Sequence, residues 1–598
     1  MAPKITDQRD IDFVLYEQLK VDTFLTSDKY KSFNKKMFDM VVKEAKNLAV
    51  KEIFPTYTEC DKVGVSFENG IVKVPECLRK PHKLLVEGEW SALTEDPEYG
   101  GQGLPFAIAQ AAMEYLTGAN YILTTYPVLS HGAGKMIDLF GTREQKNLFL
   151  KKLYTGVWGG SMLLTESEAG SDVGALTTSA RKLDDDTWEI TGSKIFITNG
   201  EQNLTDNIIH PVLARIEGAP AGTKGISLFI VPKIWVNADG TLGESNDVVC
   251  TGVEEKMGLH GSPTCSLSLG SKGNCRGFLL GKPNRGMEIM FHMMNEVRLE
   301  VGTQAFTSAN LAYLHALDYA KQRLQGRSIE KLADHGANQV PIIQHPDVKR
   351  MLLKMKSYVE GMRSLIYYTA FCFDKKEMAV DEKEATHYSN LVEILTPLVK
   401  AYSSEKGFDV CVEAMQVFGG YGYTKEYPVE QMVRDCKIAS IYEGANGIQA
   451  MDFLGRKIAG NKGAMLTALT DEIKFTIVTA KAHDALKELA IKLEAVLILF
   501  ETTCKNISSA LFSGHMTSAF ACAHPLLDAA GDIIMAWMLL WRATIADEKL
   551  DTKESAFYQG KIKAAQFFIT TVIPVTMGKL AAITYENNPA ASMEENLF

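Results

Sequence analysis

Apolar residues recur at helical spacing from 32 to 52 (Phe33, Met37, Met40, Val41, Ala45, Leu48), which predicts an amphipathic helix. The same period predicts helices over 106–116 and 142–153, and much longer ones over 290–324, 347–373 and 384–416. Glu98-Tyr-Gly-Gly-Gln-Gly103 interrupts the first group, because clustered glycines punctuate structure rather than extend it. From 159 to 285 the period shortens to two. Short alternating runs at 188–192, 194–200, 211–215 and 225–231, cut by turn residues, predict strands. Beyond Gly463 helical text resumes almost to the C-terminus, with no internal repeat or low-complexity tract. The order helical, β, helical, helical gives an α+β fold, mainly α, with expected domains at 1–158, 159–285, 286–460 and 461–598.

A chain of 598 residues is too long for one compact core, which agrees with several domains. Its net charge of −10, with no Lys/Arg-rich block to offset it, argues against a nucleic-acid partner, because a nucleic-acid footprint needs a basic face. The ten cysteines include no CxxC pair, so neither a metal site nor a disulfide framework is expected, and reduced thiols point to the cytoplasm. The charged N-terminal segment lacks the apolar core of a signal peptide. The most apolar run, Ile533 to Trp541, stops at Arg542, short of the ~20 residues a spanning helix needs; no transmembrane segment is expected.

Four segments carry candidate chemistry. Leu164-Thr-Glu-Ser-Glu-Ala-Gly-Ser-Asp-Val173 is small and polar, so its backbone N–H groups and the Thr165 and Ser171 hydroxyls can approach a planar polar ligand; equally, it reads as a polar loop entering the β domain. Lys194-Ile-Phe-Ile-Thr-Asn-Gly200 is a strand ending in an Asn-Gly turn, which in isolation reads as a hairpin. Phe418-Gly-Gly-Tyr-Gly-Tyr423 follows a helix, not a strand, so it is no dinucleotide fingerprint. It ends that helix at Gly419, where bare glycine N–H groups can also hold a pyrophosphate. Within Arg434-Asp-Cys-Lys-Ile-Ala-Ser-Ile-Tyr-Glu-Gly444, Glu443 stands among small and apolar residues. It is either a capping carboxylate or a base whose pKa burial raises.

In order and spacing, LTESEAGSDV, KIFITNG, QVFGGYGY at 416–423 and RDCKIASIYEG at 434–444 resemble the acyl-CoA dehydrogenase family, over residues from about 9 to 460. The EYGGQG turn, Ala320-Lys-Gln-Arg-Leu-Gln-Gly-Arg327 and the C-terminal extension are similar to the long bacterial branch that includes 3-methylmercaptopropionyl-CoA dehydrogenase, with an extension as in the very-long-chain enzymes. The resemblance implies an N-terminal helical domain, a central β-barrel domain and a C-terminal helical bundle carrying the catalytic Glu, here followed by an additional helical domain. It implies FAD, held by Met162, Leu164, Thr165, Gly170 and Ser171, with Phe196 against the isoalloxazine and Thr198 near its N5. Arg323, Gln416, Gly419 and Gly420 would reach the pyrophosphate and adenosine half of a neighbouring subunit's FAD, and Ala445 and Gly447 complete the cofactor set. Ser171, Asn295, Arg298, Tyr442 and Gly444 fall at acyl-CoA positions.

The implied reaction is fatty-acid β-oxidation chemistry. Glu443 takes the α-proton, the β-hydride goes to the flavin to leave a trans-2-enoyl-CoA, and an electron-transfer flavoprotein removes the electrons. A homodimer is expected, because Arg323 and residues 416–420 serve the neighbour's flavin, while burial of the apolar runs at 489–500 and 533–541 covers the face by which shorter relatives form tetramers.

The chain departs from the family pattern in two places: Gly326 stands where a Phe usually follows the FAD-binding Arg, and Ala445 where a Thr usually follows the base. Some members carry the base immediately before the residue matching Arg298. That position is Val297 here, and Glu296 would point about 100° away around a helix. Alternatives that stay open are an enoyl-CoA reductase, an enzyme for a sulfur-containing acyl-CoA, and a non-dehydrogenase flavoprotein of alkylation defence, which would be expected to show a basic patch.

Overall fold

The computed structural model describes residues 4–586 and 588–598, with the backbone alone at 292 and 293. Helix α1 (Lys35–Leu48) starts where the Asn34 side chain accepts the Met37 N–H, and it turns Phe38, Val42 and Ala45 inward. A π-helical turn, Ala49–Ile53, extends it, so the expected stripe ends within a residue of its sequence limit. Helices α2 (Phe106–Ala119), α3 (Tyr121–Phe140) and α4 (Arg143–Tyr154) follow, the last opened by a capping box between Thr142 and Gln145. The sequence pattern did not reveal α3. It contains Pro127 and is buried along most of its length, so no polar stripe marks its period.

The β domain has strands β1 (Gly159–Gly160), β2 (Ser179–Lys182), β3 (Trp188–Thr198), β4 (Ile208–Ile216), β5 (Ile226–Pro232), β6 (Val248–Val253), β7 (Thr264–Leu269) and β8 (Arg276–Leu280). They pair in the order β6-β7-β3-β8-β5-β4-β1, while β2 pairs with both β3 and β4. The path β3–β8–β5–β4–β2–β3 is therefore closed, which makes a small barrel with β7, β6 and β1 added at its margins. Its interior is filled by Ile190, Val212, Ala214, Phe229 and Val231. The Asn199-Gly200 pair closes no hairpin. Strand β3 pairs with the distant β7, and the Asn199 side chain bridges the Thr125 and Ser262 hydroxyls at 3.1 and 3.0 Å.

The helical bundle is α5 (Gly286–Gln322), α6 (Pro346–Met378), α7 (Glu382–Phe418), α8 (Val429–Lys437) and α9 (Asn446–Asp452). An additional set follows: α10 (Ala464–Lys481), α11 (Lys487–Phe512), α12 (Ala523–Asp547), α13 (Ser555–Thr571) and α14 (Ile573–Ala582). Its centre is α12, whose residues from Ile533 to Leu540 are all buried, and which lies on α6 and α7. At Gly531 a Cβ would come within 2.0 Å of the Tyr402 ring, so only glycine lets α12 approach α7 this closely.

A buried charge cluster ties the ends of the chain to the bundle. Asp10 accepts from Arg363 on α6, Arg542 on α12 and Lys561 on α13. Arg363 also meets Glu114 of α2 at 2.8 Å, and Lys561 meets Glu360 at 2.7 Å. Burial alone would raise the Asp10 pKa, but the three cations hold it well below the usual carboxylate range.

The expectation about membrane-spanning length needs correcting. Three helical segments, Lys487–Phe512, Ala523–Asp547 and Ser555–Ala582, are long and apolar enough to cross a membrane by length and composition. Arg542 does not end the apolar helix, because it is paired with Asp10 inside the protein, so α12 runs on for 25 residues. In this fold 89% of its apolar window is already buried in protein.

Candidate active site

Glu443 lies in the connection from α8 to α9. After a 3-10 turn at Ile438–Ser440 the backbone turns left-handed at Glu443 (φ 54°) and again at Gly444 (φ 84°). Glycine accepts this freely, whereas a Glu there carries strain of roughly 1–3 kcal/mol and is held by its surroundings. The capping reading does not hold, since Ala445 is the N-cap of α9 and no side chain caps it. Burial raises the Glu443 pKa, while the nearby Lys400 and Arg298 charges oppose the rise. The Glu443 backbone N–H has no acceptor among the described residues, so one residue presents both a carboxylate and a free donor.

Beside it, the Tyr442 hydroxyl donates to Gln304 and lies 2.8 Å from the Tyr121 hydroxyl, which fixes the ring from two helices. Arg298 is buried and donates to Asp452 at 2.9 Å. The Asn295 amide is engaged by Glu393 at 2.8 Å. Gly444 accepts from Lys400, a residue the sequence reading passed over.

One helical turn along α5 from Gln304, Glu300 lines a cavity of about 70 Å³ with Leu93, Met113, Val297, His131 and Glu296. Burial pushes Glu300 up to about 7. The carboxyl to weigh against Glu443 is therefore Glu300 as well as Glu296. Nothing in the sequence singled it out, since Glu296, Thr303 and Gln304 share its face of the helix.

The 164–173 loop is pinned from inside by Glu166, which accepts from the Thr177 and Thr178 backbones, from both their hydroxyls and from the buried Lys194 ammonium. Met162 and Leu164 stay partly or wholly inside, while Gly170 and Ser171 are exposed. On β3, the register against β7 slips between Leu267↔Lys194 and Cys265↔Ile197, so β3 carries an extra residue. Phe196 occupies that bulge with φ 58° and its ring is 60% exposed. A large aromatic held outward in a strained conformation suits stacking on a planar ligand. Thr198, two residues on, is half-buried.

A second cavity, of about 540 Å³, lies elsewhere, at the junction of α5 and α7. Arg323, Gln416, Gly419, Gly420 and Tyr421 line it, bringing together the residues that the sequence reading assigned to a phosphate-bearing ligand. At Gly419 (φ 61°) and Gly420 no atom stands within 4 Å of where a Cβ would lie, so bare backbone faces the cavity beside an exposed guanidinium. This donor set fits a pyrophosphate, as the outward Phe196 fits a flavin ring. Gly447 is likewise open, and Ala445 half-buried.

Family models match almost the whole chain in sequence: acyl-CoA dehydrogenase N-terminal domain at 36–157, middle domain at 161–271, C-terminal domain at 284–458 and acetyl-CoA dehydrogenase C-terminal like at 469–594. A butyryl-CoA dehydrogenase of Syntrophomonas wolfei is 36% identical over 99% of this chain and 98% of its own length. A 3-methylmercaptopropionyl-CoA dehydrogenase of Ruegeria pomeroyi is 36% identical over 89% of this chain and 90% of its own. The fold matches that of an acyl-CoA dehydrogenase from Bacillus anthracis complexed with FAD, with a TM-score of 0.72 and 23% identity over 94% of this chain and 90% of that one. The chain belongs to the acyl-CoA dehydrogenase family, FAD-dependent oxidoreductases of the CH–CH bond of acyl-CoA thioesters.

Proposed function

We propose that Glu443 is the general base that removes the α-proton of the acyl-CoA. The observation that carries this reading is the pairing, on one left-handed residue, of a burial-raised carboxyl and an unengaged backbone N–H. An α-proton of a thioester is far too weakly acidic for a free carboxylate. The donor beside the base would bind the thioester oxygen as negative charge develops on it, and the raised pKa brings the base toward the working pH. The chemistry that FAD supplies when bound is acceptance of the β-hydride.

Met162, Leu164, Thr165, Gly170, Ser171, Phe196 and Thr198 would hold the flavin end of FAD. Arg323, Gln416, Gly419 and Gly420 would hold the pyrophosphate and adenosine end of a neighbouring subunit's FAD, with Ala445 and Gly447 beside them. Arg298, Asn295, Tyr442, Gly444 and Ser171 would line the thioester's approach. Domain limits at 158/159, 285/286 and 460/461 suit this division of labour. An electron-transfer flavoprotein would take up the electrons and the reaction would run in the cytoplasm, the setting that ten unpaired cysteines support.

The acyl tail would enter the cavity that Leu93, Met113 and Val297 line, one helical turn from the Tyr442 anchor. The test is anaerobic bleaching of the flavin by straight-chain, branched, aromatic and sulfur-containing CoA thioesters. Bleaching by one series identifies the substrate class, and no bleaching by any of them refutes dehydrogenation. Static light scattering should give the mass of two chains. A mass near four would show that α10 to α14 leave the dimer-of-dimers face open.

A further inference from the structure

Glu443 and Gly444 are both left-handed, and α9 begins without a side-chain cap, so the strained connection has to be held from outside itself. The ammonium of Lys400 on α7, fully buried, donates to the Gly444 carbonyl at 2.8 Å and to Asn446 Oδ1 at 2.9 Å. The Asn446 amide is used at its other end too. Its Nδ2 donates to Ser404 Oγ at 3.0 Å and to Glu405 Oε1 at 3.0 Å. The same Glu405 oxygen lies 2.8 Å from Nε2 of His524, which stands on α12 in the additional helical set. A continuous chain, His524–Glu405–Asn446–Lys400–Gly444, thus runs from the extra domain to the residue after the base.

We propose that Lys400 and His524 are positioning residues for Glu443, through which the additional helical domain holds the base's loop in its left-handed conformation. The inference rests on Glu443 being the base, but the loop's rigidity can be measured whatever the base is. Holding a carboxyl and a backbone donor in one geometry is the condition for a proton transfer across about 3 Å, and small misplacements cost rate steeply. The Lys400 ammonium acts a second way: burial pulls its own pKa down to about 7, and below that it is charged and favours the ionised, proton-accepting form of Glu443 against the cost of burial. Other charges facing this chain are Arg298, paired with Asp452, on the Lys400 side. On the His524 side they are Asp528 and Lys406, which pair with each other, and Lys579, which also reaches Asp528.

The test uses the full-length, FAD-loaded protein as Lys400→Met, Lys400→Arg and His524→Ala variants. Lys474→Met serves as a control, because it breaks only an exposed pair with Glu501 in the same additional set. Two readouts are taken: the pH profile of substrate-induced flavin bleaching, and deuterium exchange of the peptide spanning 441–449. Lys400→Met should slow bleaching about 10²-fold, move the acid limb of the profile to higher pH, and speed exchange of the loop. Lys400→Arg should recover the position of that limb. His524→Ala, half-exposed and so tolerated by the fold, should shift both readouts in the same direction, by roughly 2–10-fold in rate, the worth of one hydrogen bond. A wild-type acid limb and wild-type loop exchange in Lys400→Met overturns the proposal. So does a His524→Ala variant indistinguishable from Lys474→Met. If Lys400→Met does not fold, the His524→Ala comparison decides alone.

Discussion

Replacing Glu443 with Gln should abolish flavin bleaching by substrate while leaving the cofactor bound. The amide keeps the shape of the carboxyl and cannot accept a proton. Loss of a positioned general base costs roughly 10²–10⁴-fold or more. Because φ at Glu443 is 54°, an isosteric change is essential, since a residue that relaxed the loop would confuse lost chemistry with lost geometry. In the intact protein the rate should fall as pH drops, because the proton-accepting form disappears below the raised pKa of Glu443. Stopped-flow bleaching across pH checks both statements. A Glu443→Gln variant with near-native rate would transfer the role to Glu300, the carboxyl in the adjoining cavity that burial pushes up to about 7, and Glu300→Gln would then be the inactive form.

Asp10→Asn should be the most damaging conservative change in the chain. Asp10 is the one carboxylate shared by Arg363, Arg542 and Lys561, all buried. Asn keeps the volume and removes the charge, leaving three buried cations to share Glu114 and Glu360. Breaking a buried pair by removing one partner costs about 3–5 kcal/mol, a large share of a marginal stability. The expected result is protein that is insoluble, or that melts well below the parent with FAD readily lost. An unchanged melting curve would show that water reaches the cluster and screens it.

Much of this was written in the local sequence, and what was not has a common cause. The helix stripe at 32–52 was legible because α1 has one wet face. The text at 347–373 and 384–416 was legible by its length, although 357–370 and 394–404 are buried on every side. In the β domain the alternation is real on β3, whereas β5 is buried throughout. Helix α3 was not legible, since it is shorter, carries Pro127 and is buried along most of its length. Glu443 and the segments around it were legible as a set because their spacing is shared with a family. Arg323 converges with Gln416, Gly419 and Gly420 on one cavity, although they stand nearly a hundred residues apart in the chain. The Asn-Gly pair after β3 misled, because turn chemistry is local while the choice of β7 as partner is not. Lys400 and Glu300 escaped notice for a related reason: a charged residue inside a helix reads as a solvated face until packing shows it buried.

The Asp10 cluster also has a consequence for the timing of synthesis. Its partners lie 353, 532 and 551 residues further along the chain. A ribosome adding about 5–20 residues per second needs on the order of half a minute to two minutes to cover that interval. For the first 353 residues of it Asp10 has none of these counter-charges, and until the end of it the set is incomplete. The Asp10 cluster is therefore complete only once α13 has been made. Premature termination anywhere before Lys561 should yield products destined for proteolysis, not smaller working enzymes.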